Sequence, residues 1–216
     1  MSGGAGMEAD YLKDPEAIYD RSFACIRAEA DLARFPPPLE PVVVRIIHAC
    51  GMTDITRDIR FSPGVAEAAA QALAAGAPIL ADCNAVASAL TRRFLPAGND
   101  VVCLLDDPRT RDVARARATT RSAAAVALWA PRLEGAVALI GNAPTALFAL
   151  LDLLRAGGAK PAAILAFPVG FVGAAESKAA LVRASAGVPY LTLLGRRGGS
   201  AMAAAALNAI ALGTRP

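Results

Sequence analysis

What this 216-residue chain has little of narrows its chemistry quickly. It contains one histidine, His48. Its four cysteines, at 25, 50, 83 and 103, stand 20 or more residues apart, so there is no CxxC pair. A structural zinc site needs several nitrogen and sulfur ligands at short spacings, and this chain lacks them. Isolated thiols suit a reducing cytoplasm. Lysine occurs only at 13, 160 and 178, which leaves 19 arginines among the 22 basic residues. The formal net charge of +3 is mild and falls short of the dense basic patch of a nucleic-acid binder. No run of 18 apolar residues is uninterrupted, because the Ala-rich stretches are cut by Gly, Pro, Asp or Arg, so no membrane span is expected. The opening MSGGAGMEAD has no positive n-region and no apolar run, so no signal peptide is expected either. Also missing are GxxxxGK[ST], a GxGxxG loop after a strand, and GxSxG, which removes support for ATP, NAD and a nucleophile elbow.

What remains is a hydrophobic chain, 55% apolar, of a length that suits one domain. Residues 1–9 read as a flexible N-terminal tail and 10–216 as a single domain. Asp14 followed by Pro15 opens a helix expected to run to about Phe35, where three prolines stop it. VVVRIIHAC at 42–50 fits two readings. As a strand it places Arg45 and His48 on opposite faces, and as a helix it places them on one. From Pro63 the pattern is regular: short apolar runs at 78–82, 101–105, 136–140, 162–166 and 190–194, each followed by a helical segment. Apolar runs without polar alternation, separated by helices, indicate a parallel sheet buried on both faces. The expected fold is α/β, three-layered, with a five-stranded, mostly parallel sheet flanked by helices.

In such a sheet ligands bind beyond the carboxyl ends of the strands. Three Gly-rich loops fall there, at 140–145, 167–173 and 194–200, each leading into a helix N-terminus that favours an anion. His48 is the one side chain that titrates near neutrality unaided, so it is the first candidate for proton chemistry. Arg45, a turn away if the segment is helical, is placed to hold an anionic substrate. Ser177 and Ser200 serve as nucleophiles only if a base reaches them. Asp54, Asp58, Asp106 and Asp107 read as turn and loop residues rather than metal ligands, and no metal or other cofactor is expected.

Four strings in order resemble one family. RIIHACG at 45–51, GNAPTAL at 141–147, PVGFVGAAESK at 168–178 and GRRGGSAM at 195–202 are similar to those of precorrin-8X methylmutases of cobalamin biosynthesis, and the likeness runs from about Tyr11 to Leu212. The resemblance implies a cofactor-free isomerase, homodimeric, cytoplasmic, with active sites near the dimer interface. Its reaction moves a methyl group from carbon 11 to carbon 12 of a tetrapyrrole, turning precorrin-8X into hydrogenobyrinic acid by a suprafacial 1,5-sigmatropic shift. It implies that His48 donates a proton, that Ser22 and Arg45 contact the substrate, and that 42–50 is helical. Arg121, Ser177 and Lys178 follow as expected contacts to the carboxylates that edge the macrocycle. The implied partners are the tetrapyrrole polycarboxylate substrate and product, a second copy of the chain, and neighbouring enzymes of the pathway that take the product. One departure is DCNAV at 82–86, where many members read Asp-x-x-Met-Val.

Three rival readings differ in kind. The chain fits a cobalt-precorrin-8 methylmutase, acting on the cobalt-bearing substrate. It fits a corrinoid carrier that binds the product without turnover. It also fits an unrelated α/β hydrolase using Ser177 or Ser200.

Overall fold

The computed structural model describes residues 11–213, so the expected tail at 1–9 lies outside the described residues. Nine α-helices and six strands alternate along the described chain: α1 Pro15–Glu29, α2 Glu40–Cys50, β1 Ile59–Phe61, α3 Val65–Ala74, β2 Ile79–Ala81, α4 Asn84–Ser88, β3 Val101–Cys103, α5 Pro108–Ala116, α6 Arg121–Ala127, β4 Val137–Ile140, α7 Pro144–Arg155, β5 Ala163–Ala166, α8 Ala174–Arg183, β6 Tyr190–Leu193 and α9 Ser200–Gly213. The strands form one sheet in the order β1-β6-β5-β4-β2-β3.

The five apolar runs are the five parallel strands β2 to β6. The expected count of five is corrected to six by β1, which pairs antiparallel with β6 at the edge, Ile59 opposite Leu193. Three residues centred on Arg60 are too short to show a period of two, and an edge strand needs only one apolar face.

Successive strand residues alternate between two cores. Ile79, Val137, Leu139, Leu165 and Leu191 face α2, α3 and α9. Leu80, Ala138, Ile140, Ile164 and Ala166 face α6, α7 and α8. Both faces are covered, which is why the parallel strands are apolar but for Tyr190 and Thr192 of β6, the buried Thr192 hydroxyl donating to the Ala166 carbonyl.

Helix α2 resolves the ambiguity at 42–50. Glu40 and Pro41 form its first turn, and Gly51 ends it in the left-handed conformation at φ 68°, its N–H bonded to the Ile47 carbonyl. Val42, Val43, Val44, Ile46 and Ile47 are buried. The β-branched run therefore serves a helix packed on α9.

Two expected helices are shorter than their patterns suggested. Helix α1 stops at Glu29 instead of Phe35. Beyond it, Arg34 donates to the carbonyls of Thr56 and Ile59, and Phe35 is buried against Phe61 with ring centroids 5.7 Å apart. These contacts hold the chain out of helix. The helical segment expected after the run at 78–82 is only five residues long, ending at Ser88, and a 3-10 turn follows at Arg92–Phe94. Asn208 of α9 takes over the local hydrogen bonding there, donating to the Ala89 carbonyl and accepting from the Thr91 N–H.

Candidate active site

The carboxyl ends of β2, β4, β5 and β6 are tied together loop by loop. Asp82, at the end of β2, is buried, and its carboxylate accepts from the N–H groups of Gly141, Asn142 and Ala143 at 2.8–3.0 Å. Burial pushes this carboxyl's pKa up, and the three N–H bonds pull it back. The loop at 140–145 is thus an anion nest, as expected, but its anion is internal. The Val169 N–H donates to the Asn142 carbonyl, the Gly170 N–H to the Arg196 carbonyl, and the Gly199 N–H to the Phe167 carbonyl. Two glycines permit this closeness. A Cβ on Gly198 would stand 2.3 Å from the Phe167 carbonyl oxygen, and one on Gly141 2.6 Å from a Val86 methyl.

Helices α1 and α2 meet at one side of this end. Ser22 Oγ lies 2.9 Å from His48 Nδ1. The His48 ring stacks on Phe23 at 5.1 Å and 18°, and Tyr19 meets it edge-on at 6.0 Å. Arg45, one turn before His48, lays its guanidinium over Tyr19 and Phe23 at 5.8 and 5.6 Å. Arg45 and His48 share a face, and Ser22 joins them from 26 residues away. Tyr19 and Phe23 were not singled out in the sequence. Their spacing of four on α1 is the signal that could have found them.

Bonding at Nδ1 leaves Nε2 as the nitrogen directed away from Ser22. A protonated ring donates from Nδ1 to the Ser22 oxygen and keeps Nε2–H for a ligand. His48 itself is exposed.

The remaining expected residues are placed differently. Arg121 begins α6 and is bound to Asp106 Oδ1 at 2.5 Å and to the Leu105 carbonyl at 2.9 Å, while Asn84 holds the other oxygen of Asp106. These two bonds hold Asp106 well ionised, its pKa below the ordinary carboxylate value. Ser177 and Lys178 do lie near the start of α8, behind the 167–173 loop, but not on an open rim. Both are fully buried. The Ser177 hydroxyl donates to the Ala174 carbonyl of its own helix, and Lys178 Nζ donates to the Arg197 carbonyl at 2.6 Å. Burial lowers the Lys178 pKa to about 8. Ser200 Oγ sits 3.6 Å from Cys83 Sγ. The described contacts bring no base to Ser177 or Ser200, and the histidine pairs with Ser22 instead. Among the described residues no three His, Cys, Asp or Glu side chains gather closely enough to hold a metal ion. No helix among them is long and apolar enough to cross a membrane.

A parallel α/β sheet with an exposed histidine, a hydroxyl bonded to it and an arginine at its carboxyl end defines a class: an α/β protein whose candidate site offers a guanidinium and an imidazole beyond the ends of its strands. The family model for precorrin-8X methylmutase matches residues 17–212. The chain is 59% identical to the precorrin-8X methylmutase of a Sinorhizobium species over 204 residues, covering 94% of this chain and 97% of that one. It is 58% identical to that of Pseudomonas aeruginosa over 202 residues, with the same coverage of each. The solved precorrin-8X methylmutase of Thermus thermophilus superposes with a TM-score of 0.81 at 44% identity, over 91% of this chain and 94% of that one. The chain belongs to the precorrin-8X methylmutase family, and the enzyme is an isomerase, an intramolecular transferase of cobalamin biosynthesis.

Proposed function

We propose that this enzyme moves the methyl group of precorrin-8X from carbon 11 to carbon 12, giving hydrogenobyrinic acid, with His48 as the proton donor. The observation that carries this reading is the 2.9 Å contact of Ser22 Oγ with His48 Nδ1. It holds the ring and leaves Nε2 to the substrate. His48 lends a proton to the macrocycle, the methyl group shifts within one molecule, and the proton is returned. Substrate and product are isomers, so no group enters or leaves. Such a step needs orientation and one acid, and no cofactor is required.

Arg45 and Arg121 are the proposed carboxylate contacts. The loop after β6 borders the histidine corner, and Arg121 is bonded beside the end of β3. Four inter-strand spacings separate β6 from β3, on the order of 19 Å. A broad ring edged with carboxylates can address both ends, and a small acid cannot. Ser177 and Lys178 enter this reading from behind, as residues that set the loop on which the substrate rests. The metal-free substrate is preferred over the cobalt-bearing one because both Sinorhizobium and Pseudomonas relatives carry the precorrin-8X name.

The reading includes a homodimer working in the cytoplasm that passes its product to the next enzyme of the pathway. What supports the dimer is exposed apolar surface beside the site. Phe171 and Val172, in the loop before α8, are 85% and 88% exposed, and Tyr11, Leu12, Ile18 and Tyr19 leave the start of α1 uncovered.

The test is His48→Ala. Turnover of precorrin-8X is expected to fall by about 10²–10⁴-fold. Absorbance titration with hydrogenobyrinic acid should show binding retained. Unchanged turnover would remove His48 as the donor, and loss of binding together with turnover would make it a ligand contact.

A further inference from the structure

The body of α2 is fixed by burial, but its last turn is not. Val42 to Ile47 are largely enclosed, whereas His48, Ala49 and Gly51 are exposed and Cys50 is partly so. Burial therefore encloses the turn that carries the histidine less fully than the turns before it. A second set of contacts reaches the segment immediately after it.

Arg197, in the loop between β6 and α9, sends Nη1 to Asp54 Oδ2 at 2.7 Å and Nη2 to Asp58 Oδ2 at 2.8 Å. Nη1 also lies 3.9 Å from Met52 Sδ. Two carboxylates on one guanidinium fix its plane, which a single ammonium could not do. Both carboxylates belong to the stretch that leaves α2 through Gly51. The Leu194 N–H donates to the Asp58 carbonyl at 2.9 Å, so the same stretch is held by backbone as well. From the other side, the buried Lys178 Nζ grips the carbonyl of Arg197 itself. No carboxylate faces Lys178 among its described contacts. A buried ammonium spent on one carbonyl is an expensive way to hold a loop, unless the loop's position matters.

We propose that Arg197 is a positioning residue for His48: seated by Lys178, its guanidinium braces the Met52–Asp58 segment and so fixes the last turn of α2. Arg197 acts through that segment and touches no reacting atom. The inference rests on His48 as the proton donor for its effect on rate, but not for its effect on geometry.

The chain's single histidine makes the geometry directly readable. With ¹⁵N-histidine labelling of the untagged protein, the two ring nitrogens report one residue, and the Nδ1 signal senses the Ser22 hydrogen bond. Arg197→Ala is expected to shift the His48 ring signals and to lower kcat about tenfold with KM within about twofold. Arg197→Lys, able to reach one carboxylate at a time, should fall between. Arg155→Ala removes an exposed arginine of α7 paired with Asp152 and should change neither reading. If Arg197→Ala does not fold, the double variant Asp54→Asn, Asp58→Asn removes the same ion pairs with little change of shape and is expected to reproduce the shift. A folded variant of either kind with unmoved His48 ring signals overturns the proposal. If His48→Ala proves silent in turnover, the ring signals still decide the brace, so the two readings fail separately.

Discussion

Two places at the carboxyl end of the sheet look alike in sequence and differ in outcome. At β4–α7 a glycine-led loop opens a helix, and at the α1–α2 corner an arginine and a histidine share a helix face. Both read as sites for an anion. At the first, three backbone N–H groups converge on Asp82, a carboxylate of the chain itself and buried. At the second, the guanidinium of Arg45 and the imidazole of His48 rest on Tyr19 and Phe23 and face outward. A nest closed by an internal anion builds structure. A cationic corner supported by aromatic rings and left open is available for a ligand. What decides between them is a residue some 60 positions away, which no local pattern reveals.

The difference can be broken at its strong end first. Asp82→Ala strands three buried or half-buried N–H groups, and it is expected to destabilise the protein by about 3 kcal/mol or more in chemical denaturation. Asp82→Asn keeps one acceptor oxygen and should cost less. Arg45→Met retains the apolar stem over Tyr19 and Phe23 and removes the charge. It is expected to raise KM about tenfold while leaving stability within about 1 kcal/mol. The same loss of stability from both would erase the distinction drawn between them.

A further effect concerns Lys178 and pH. Its pKa is held near 8 in the fold by burial, below the 10.5 of an unburied lysine. Below pH 8 both folded and unfolded chains hold the proton, and the fold bears the full cost of the buried charge. Between pH 8 and 10.5 the unfolded chain binds more protons, so stability rises with pH. Lys178→Met lacks this dependence. The stability of the wild type measured against that variant is therefore expected to improve across this window, and a constant difference would place the lysine in water.

Much of the fold was legible because a buried parallel strand is itself a sequence signal. All five apolar runs contain the strands expected of them, and a helix follows each. What was missed depends on distant partners. Residues 59–61 become a strand because Leu193 and its neighbours lie opposite. The helix after β2 is cut short because Asn208 satisfies its next backbone groups. At the site, the pairing of Arg45 with His48 followed from helical spacing once the segment was taken as a helix. Ser22 came from the resemblance alone, since nothing local joins residues 22 and 48. The burial of Ser177 and Lys178 was not legible, because a polar pair after a glycine loop reads as rim until the loop from 195 to 199 closes over it.

The edge strand has a consequence for the order in which the molecule is made. Ile59 pairs with Leu193, 134 residues later, and Asp58 waits for Arg197. A contact that closes so long a loop forms late, after the local β–α units between have docked. On the ribosome, His48 emerges well before residues 191–197, with which the segment behind it pairs. The histidine corner is thus completed only once residue 197 has been made, and a chain truncated before residue 190 would lack β6, α9 and Arg197 together.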